Sequence, residues 1–245
     1  MQPIHSCQFE ISANMVDCFH RARPSTLLYL AQEAAGAHCK LLGAESYLAE
    51  KGLFWAVLRY RFQITRLPKK GETVTVKTWP MPTTRTAFPR STAAYDADGN
   101  ELFRAIGLWV LMDPQSRSMV LPGKSGLMIP GTDCEGQLLP PSSLTPVTGE
   151  NSLCRTVGFS ELDQNGHMNN TRYMNWIDDL LPAAFHKEHP VREFTLCYLN
   201  EAREGDVLQL NWQLSDGPVL VADAHRMRTD IPETSSRVFS AKVVY

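Results

Sequence analysis

No stretch of about 18 consecutive apolar residues occurs in the chain, so nothing in it is long enough to cross a membrane as a helix. Its first ten residues, Met1 to Glu10, lack the apolar core of a signal peptide. The six cysteines stand far apart, at positions 7, 18, 39, 134, 154 and 197, and form no Cys-x-x-Cys pair. Without an export signal, this spacing predicts buried free thiols rather than disulfides or zinc ligands. Excess positive charge is also missing. A net charge of −2 argues against a general nucleic-acid binder, which is normally basic. The expectation is a cytoplasmic protein that binds neither nucleic acid nor membrane.

What is present describes an ordinary globular chain. Its 245 residues, 43% hydrophobic and 20% charged, suffice for one large or two small domains with a substantial core. Phe9 to Ile11 opens a strand, and Pro24-Ser25 starts a helix, proline being tolerated in a first turn. Leu27, Leu30, Ala31, Ala34, Ala35, His38 and Leu41 form one stripe along that helix. Ala44 to Lys51 reads as a further helical turn. Strand-like runs follow at Leu53 to Thr65, Thr73 to Pro80, Arg90 to Tyr95 and Glu101 to Met112, with a hairpin turn at Asp96-Ala97-Asp98-Gly99-Asn100. Residues 122–150 are rich in proline and glycine and read as a linker. Beyond them the order returns: a strand at Cys154 to Phe159, a helix at Thr171 to Phe185, then strands at Glu193 to Tyr198, Val207 to Leu214, Val219 to Met227 and Ser236 to Tyr245. Asp17 falls on Asp163, Gly71-Glu72-Thr73-Val74 on Gly205-Asp206-Val207-Leu208, and Leu102-Phe103-Arg104-Ala105 on Val238-Phe239-Ser240-Ala241. Two repeats of a long helix and an antiparallel meander predict an α+β architecture.

The halves differ at one stretch, Leu162-Asp163-Gln164-Asn165-Gly166-His167-Met168-Asn169-Asn170. Read as extended chain, Asp163, Asn165 and His167 share one face, so an acid, an amide and an imidazole meet the same space. Asn169 or Asn170 then caps a helix with Tyr173, Trp176, Ile177, Leu180 and Leu181 at helical spacing. The first repeat instead carries Asp17-Cys18-Phe19-His20-Arg21, with phenylalanine opposite Asn165 and arginine opposite His167. One site per chain, in the second half, is the economical reading. His167 has the intrinsic pKa of a base, near ~6.5. Asn165 offers a donor and an acceptor without charge. Asp163 either orients the site or attacks directly. His186 and His189 stand three apart without an obvious third ligand, so no metal is expected.

Asp-Gln-Asn-Gly-His-Met-Asn-Asn-Thr-Arg-Tyr resembles the Asp-x-Asn-x-His-Val-Asn-Asn-x-x-Tyr signature of the acyl-acyl carrier protein (acyl-ACP) thioesterases, with Met168 for the usual valine. Trp176 and Asp179 fit the family's helix. The likeness extends through Trp55-Ala56-Val57-Leu58-Arg59, Gly71-Glu72-Thr73-Val74, Thr78-Trp79, Phe88, Arg90 and Asp113-Pro114. It covers about residues 6 to 113 and 153 to 215. The resemblance implies a tandem, or double, hotdog: residues 1–121 as an N-terminal hotdog on the acyl-pocket side, a linker at 122–150, and 151–245 as a C-terminal hotdog carrying the chemistry. It also implies a fourth site residue. The family's Tyr-x-x-Glu is matched by Tyr198-Leu199-Asn200-Glu201, so Glu201 is the acid expected to activate water. Ala202 stands where the family often has cysteine, which leaves a Cys-His mechanism without a nucleophile there, and Cys197 reads as a packing residue.

The implied reaction is hydrolysis of fatty acyl-ACP to free fatty acid, with Asp163, Asn165, His167 and Glu201 as site residues. No cofactor is expected beyond the phosphopantetheine arm of the substrate. Acyl carrier protein is the implied partner; Arg21, Arg23, Arg66, Lys69, Lys70, Arg85 and Arg90 supply positive charge that reads first as a scattered solvated surface and otherwise as charge suited to docking an acidic carrier. A homodimer is left open, since one chain already supplies a hotdog pair. The alternatives are an acyl-CoA thioesterase of the same fold and a non-catalytic acyl-binding hotdog.

Overall fold

The computed structural model describes residues 3–134, 136–147, 151–227 and 236–245. It divides into two compact units, residues 1–141 and 142–245. In unit 1, strand β1 (His5–Glu10) precedes helix α1 (Pro24–Leu41) and the short helix α2 (Ala44–Lys51). Strands β2 (Phe54–Ile64), β3 (Thr73–Pro80), β4 (Phe88–Tyr95), β5 (Glu101–Asp113) and β6 (Ser118–Val120) follow, then one turn of helix, α3 (Pro122–Ser125). The sheet order is β1-β3-β4-β5-β2, with β6 on β5 and every pair antiparallel. Asp96 shapes the hairpin between β4 and β5, its Oδ1 accepting the Asp98 and Asn100 amides.

Pro24 occupies the first turn of α1, where its missing N–H leaves no bond unmade. The stripe from Leu27 to His38 is buried. Leu27, Leu28 and Leu30 are fully covered, each contributing roughly 1.5–3 kcal/mol of transfer free energy. Leu41 breaks the expected pattern at 68% exposed. It is the last helical residue before Leu42 caps the helix and Gly43 turns the chain away at φ 72.

Unit 2 repeats the plan. It has strand β7 (Asn151–Thr156), helices α4 (Asn170–Asp178) and α5 (Ala183–Glu188), then β8 (Glu193–Tyr198), β9 (Val207–Ser215), β10 (Val219–Arg226) and β11 (Ser236–Val244). Its sheet runs β8-β11-β10-β9-β7, again antiparallel. Tyr173, Met174, Trp176 and Ile177 are the buried face of α4, with the Tyr173 ring stacked on Phe239 at 4.8 Å. The single helix expected from Thr171 to Phe185 is two helices, because Pro182 cannot donate into a continuing helix and instead precedes the first turn of α5.

The segment 122–150 is not uniformly a connector. Leu127 joins Ala44, Leu48, Phe88 and Leu111 in one apolar cluster of unit 1, and the Tyr47 hydroxyl donates to the Ser125 carbonyl at 2.9 Å. The division between units falls at 141/142, after that packed stretch. On the other side, the Val147 amide donates to Asp223 Oδ2 at 2.8 Å. Glu135 and residues 148–150 lie outside the described residues. Among the described residues no helix is long and apolar enough to cross a membrane.

Candidate active site

The polar stretch of unit 2 is a closed turn, not an extended strand. Leu162 bridges Met168, and the Asp163 amide donates to the His167 carbonyl at 2.8 Å. Within that loop Asp163 Oδ1 accepts the amides of Asn165 at 2.8 Å and His167 at 3.3 Å. Gly166 sits at φ 74, a backbone position that glycine takes without strain. The expectation that three side chains alternate onto one face is therefore corrected: Asp163 spends its carboxylate on its own backbone, a local bond that competes with extended structure. Asn165 is exposed at the turn's tip.

The turn nevertheless delivers the imidazole. His167 Nε2 lies 3.1 Å from Glu201 Oε2, with the imidazole side chain 20% exposed and the carboxylate 46%. Glu201 follows the end of β8, whose Tyr198 hydroxyl donates to the Asn170 carbonyl at 3.0 Å and ties that strand end to α4. The Met168 amide donates to the Ala202 carbonyl at 2.7 Å, locking the two segments in register one residue beyond each functional side chain. Two residues distant in sequence are thus brought together, while Asp163 supports the turn and Asn165 stands at its edge.

Arg203 is part of the group, and sequence reasoning missed it. Its Nη2 is 3.6 Å from Glu201 Oε2 and 3.2 Å from His167 Nε2. With Nε2 protonated, the ring donates to the carboxylate, which also holds Arg203, and the approach of Arg203 Nη2 to Nε2 is then proximity rather than a hydrogen bond. The lone pair then resides on Nδ1, which becomes the basic nitrogen. Arg226 completes the surround by donating to the Glu201 carbonyl and, through Nε, to Asp206 at 3.1 Å. The available signal was the alternation of Glu201 and Arg203 beside a turn.

Helix α4 begins at the site. Asn169 caps it by accepting the Thr171 amide at 2.9 Å and hydroxyl at 2.7 Å. Behind the turn, Glu161 accepts the Trp176 indole N–H and the Gly158 amide, the latter at 2.9 Å. Asp179 pairs with Arg155 at 2.8 Å, and the Arg155 guanidinium lies 4.7 Å over the Trp176 ring. Cys197 is fully buried, and its thiol faces the Ser142 carbonyl at 3.9 Å. His186 and His189 face the backbone carbonyls of Asp178 and Phe185.

Unit 1 contains the same turn without the chemistry. Asp17 Oδ1 accepts the amides of Phe19 at 2.8 Å and Arg21 at 2.9 Å, and His20 holds the positive φ of 62 that Gly166 holds in unit 2. Arg21, opposite His167 in the repeat, pairs with Asp17 at 3.0 Å. Ala22 donates to the Pro68 carbonyl at 2.7 Å as Met168 does to Ala202, so Leu67 occupies the Glu201 position and Lys69 the Arg203 position. The seven cations singled out as suiting an acidic carrier are also not equivalent. Arg66 is held by Glu72 and Asp96, and Arg90 is buried.

Two sequence profiles match the chain: the acyl-ACP thioesterase N-terminal domain over residues 3–121 and its C-terminal domain over residues 146–236. The chain belongs to the acyl-ACP thioesterase family. It is 28% identical over 229 residues to a chloroplastic palmitoyl-acyl carrier protein thioesterase of Gossypium hirsutum, covering 87% of this chain and 55% of that protein. It is 24% identical to a chloroplastic dodecanoyl-[acyl-carrier-protein] hydrolase of Umbellularia californica, covering 76% and 53%. This family member thus spans about half the length of the curated relatives it matches. Among solved structures, an acyl-ACP thioesterase from Bacteroides thetaiotaomicron superposes with a TM-score of 0.84 at 24% identity, covering 99% of this chain and 97% of that one. A 12:0-ACP thioesterase from Umbellularia californica gives 0.81 at 22% identity, covering 100% and 97%. The fold is the double hotdog of this thioesterase family, as the resemblance implied.

Proposed function

We propose that the chain hydrolyses the thioester of a fatty acyl group carried on acyl carrier protein, releasing the free acid and the carrier thiol. The observation that carries this reading is the 3.1 Å approach of His167 Nε2 to Glu201 Oε2, with Arg203 against both. A carboxylate holding one imidazole nitrogen fixes the tautomer and stabilises the imidazolium that forms when the ring takes a proton. Water gives that proton to the His167–Glu201 pair while its oxygen adds to the thioester carbonyl. The tetrahedral intermediate then expels the sulfur, and the proton passes to the departing thiolate. Asp163 shapes the turn that presents His167, and Asn165 at its tip positions substrate or water. The N-terminus of α4, which begins beside the turn, puts the positive end of its helix dipole near the site, favouring negative charge there. The reaction so written draws on no metal or dissociable cofactor, and the phosphopantetheine arm belongs to the substrate.

Names of relatives support the carrier: each of the two cited above is called an acyl carrier protein thioesterase or hydrolase. The test is free-thiol release from one acyl group presented on acyl carrier protein and on coenzyme A, wild type beside His167→Ala. The expected result is faster release from the protein carrier and a fall of ~10²–10⁴-fold in the variant. Equal rates for wild type and variant would overturn the assignment of His167, and faster release from coenzyme A would overturn the carrier.

A further inference from the structure

Unit 1 carries a partly open cavity of about 120 Å³ walled by apolar groups including Phe88, Met81 and Ile129. One part of its wall does not fit a hydrocarbon ligand. Arg90 lines the cavity and is only 6% exposed. Its guanidinium meets His38 Nδ1 at 3.2 Å, Thr78 Oγ1 at 3.3 Å and Cys39 Sγ at 3.6 Å. Burial pushes the Cys39 thiol up, so it is no thiolate counterion. Among the described residues no carboxylate lies within ion-pair distance of Arg90. Burial lowers the Arg90 pKa, but a guanidinium stays protonated in proteins.

Three further donors share the wall. Trp55 Nε1, Trp109 Nε1 and Gln32 Nε2 are buried, and none has a hydrogen-bond acceptor among the described residues. A buried cation and three buried donors are costly beside a methyl end and are all satisfied by oxygen. We infer that this cavity takes a chain carrying oxygen on its buried part, a carboxylate ahead of a hydroxyl and either ahead of a plain alkyl end. Charge sets that order, because a hydrogen bond between two ions is about twice as strong as a neutral one. The inference deepens the acyl-thioester reading by naming the class of acyl chain, and it rests on that reading only for what the other end of the ligand carries.

The test keeps the two apart by using ligands with no thioester. Chains of six to twelve carbons with a neutral amide head are prepared in three forms, ending in methyl, hydroxyl or carboxylate. Binding is followed by calorimetry and by the fluorescence of Trp55 and Trp109 in the cavity wall. Wild type should bind a carboxylate-ended chain about tenfold or more tighter than its methyl-ended partner. Arg90→Met should erase the carboxylate preference, and Gln32→Leu should narrow the hydroxyl preference while leaving the carboxylate ahead. Should Arg90→Met not fold, Arg90→Lys and Gln32→Leu carry the comparison. Equal or tighter binding of the methyl-ended chain, unchanged discrimination in the folded variants, or no binding by any probe would each overturn the inference. Intact discrimination in a protein that releases no thiol would sink only the hydrolase reading.

Discussion

Asp163 holds the backbone N–H of Asn165 on its own carboxylate at 2.8 Å, and Asp17 does the same for Phe19 at the same distance. A residue that makes this bond where an arginine, Arg21, stands in the place of His167 is a turn-former first. Asp163→Asn keeps an acceptor and should retain thiol release to within about tenfold, whereas Asp163→Ala loses two bonds worth about 1–2 kcal/mol together. The alanine variant should therefore melt earlier and turn over more slowly. Collapse of activity in the asparagine variant at unchanged melting temperature would instead make Asp163 the attacking group.

Arg203 and Glu201 are each about half exposed, at 53% and 46%. An ion pair in that setting is worth about 0.2–1 kcal/mol, so Arg203→Ala should lower kcat/KM about two- to fivefold, and Arg203→Lys should recover most of it. A hundredfold loss in steady-state assays would mean that Arg203 touches the substrate itself.

Leu127 belongs to the apolar cluster of unit 1 although it follows the last strand of that unit. Leu127→Ala should cost about 2 kcal/mol in denaturant unfolding, the low end for a leucine at the margin of a core. Leu139→Ala, at a residue 77% exposed in the same stretch, should change stability by less than about 0.5 kcal/mol. Equal effects would remove Leu127 from the core.

Cysteine labelling gives a pH-dependent check. Cys18 and Cys154 are exposed, whereas burial raises the Cys39 pKa. Since the thiolate is the reactive form, alkylation of Cys39 in the native protein should lag behind Cys18 at neutral pH. Its rate should climb as pH rises toward the elevated pKa, and unfolding in urea should abolish the lag. Peptide mapping after timed quenching reads this, and native Cys39 reacting as fast as Cys18 would refute it.

Local signals in the sequence carried most of the fold. Pro24 at a helix start, the Asp96-to-Asn100 hairpin and the Asn169 cap each act within a few residues of themselves, and each occurs where its chemistry demands. The α4–α5 break is equally local, since Pro182 stands where the helix divides. The candidate site was legible in its residues but not in its geometry. Alternation along an extended strand was the wrong device, because the Asp163 carboxylate captures amides two and four residues on. What brings His167 to Glu201 is the Met168-to-Ala202 hydrogen bond, a contact that no spacing rule within one segment encodes. Arg203 was missed for the same reason: its meaning lies in what stands across from it.

The two matching turns also make unit 1 a socket for transplantation. Phe19, Arg21, Leu67 and Lys69 occupy the positions that Asn165, His167, Glu201 and Arg203 fill in unit 2, on backbone already held by Asp17 and by the Ala22-to-Pro68 hydrogen bond. Four substitutions, Phe19→Asn, Arg21→His, Leu67→Glu and Lys69→Arg, would therefore rebuild the polar group on a scaffold that needs no new loop.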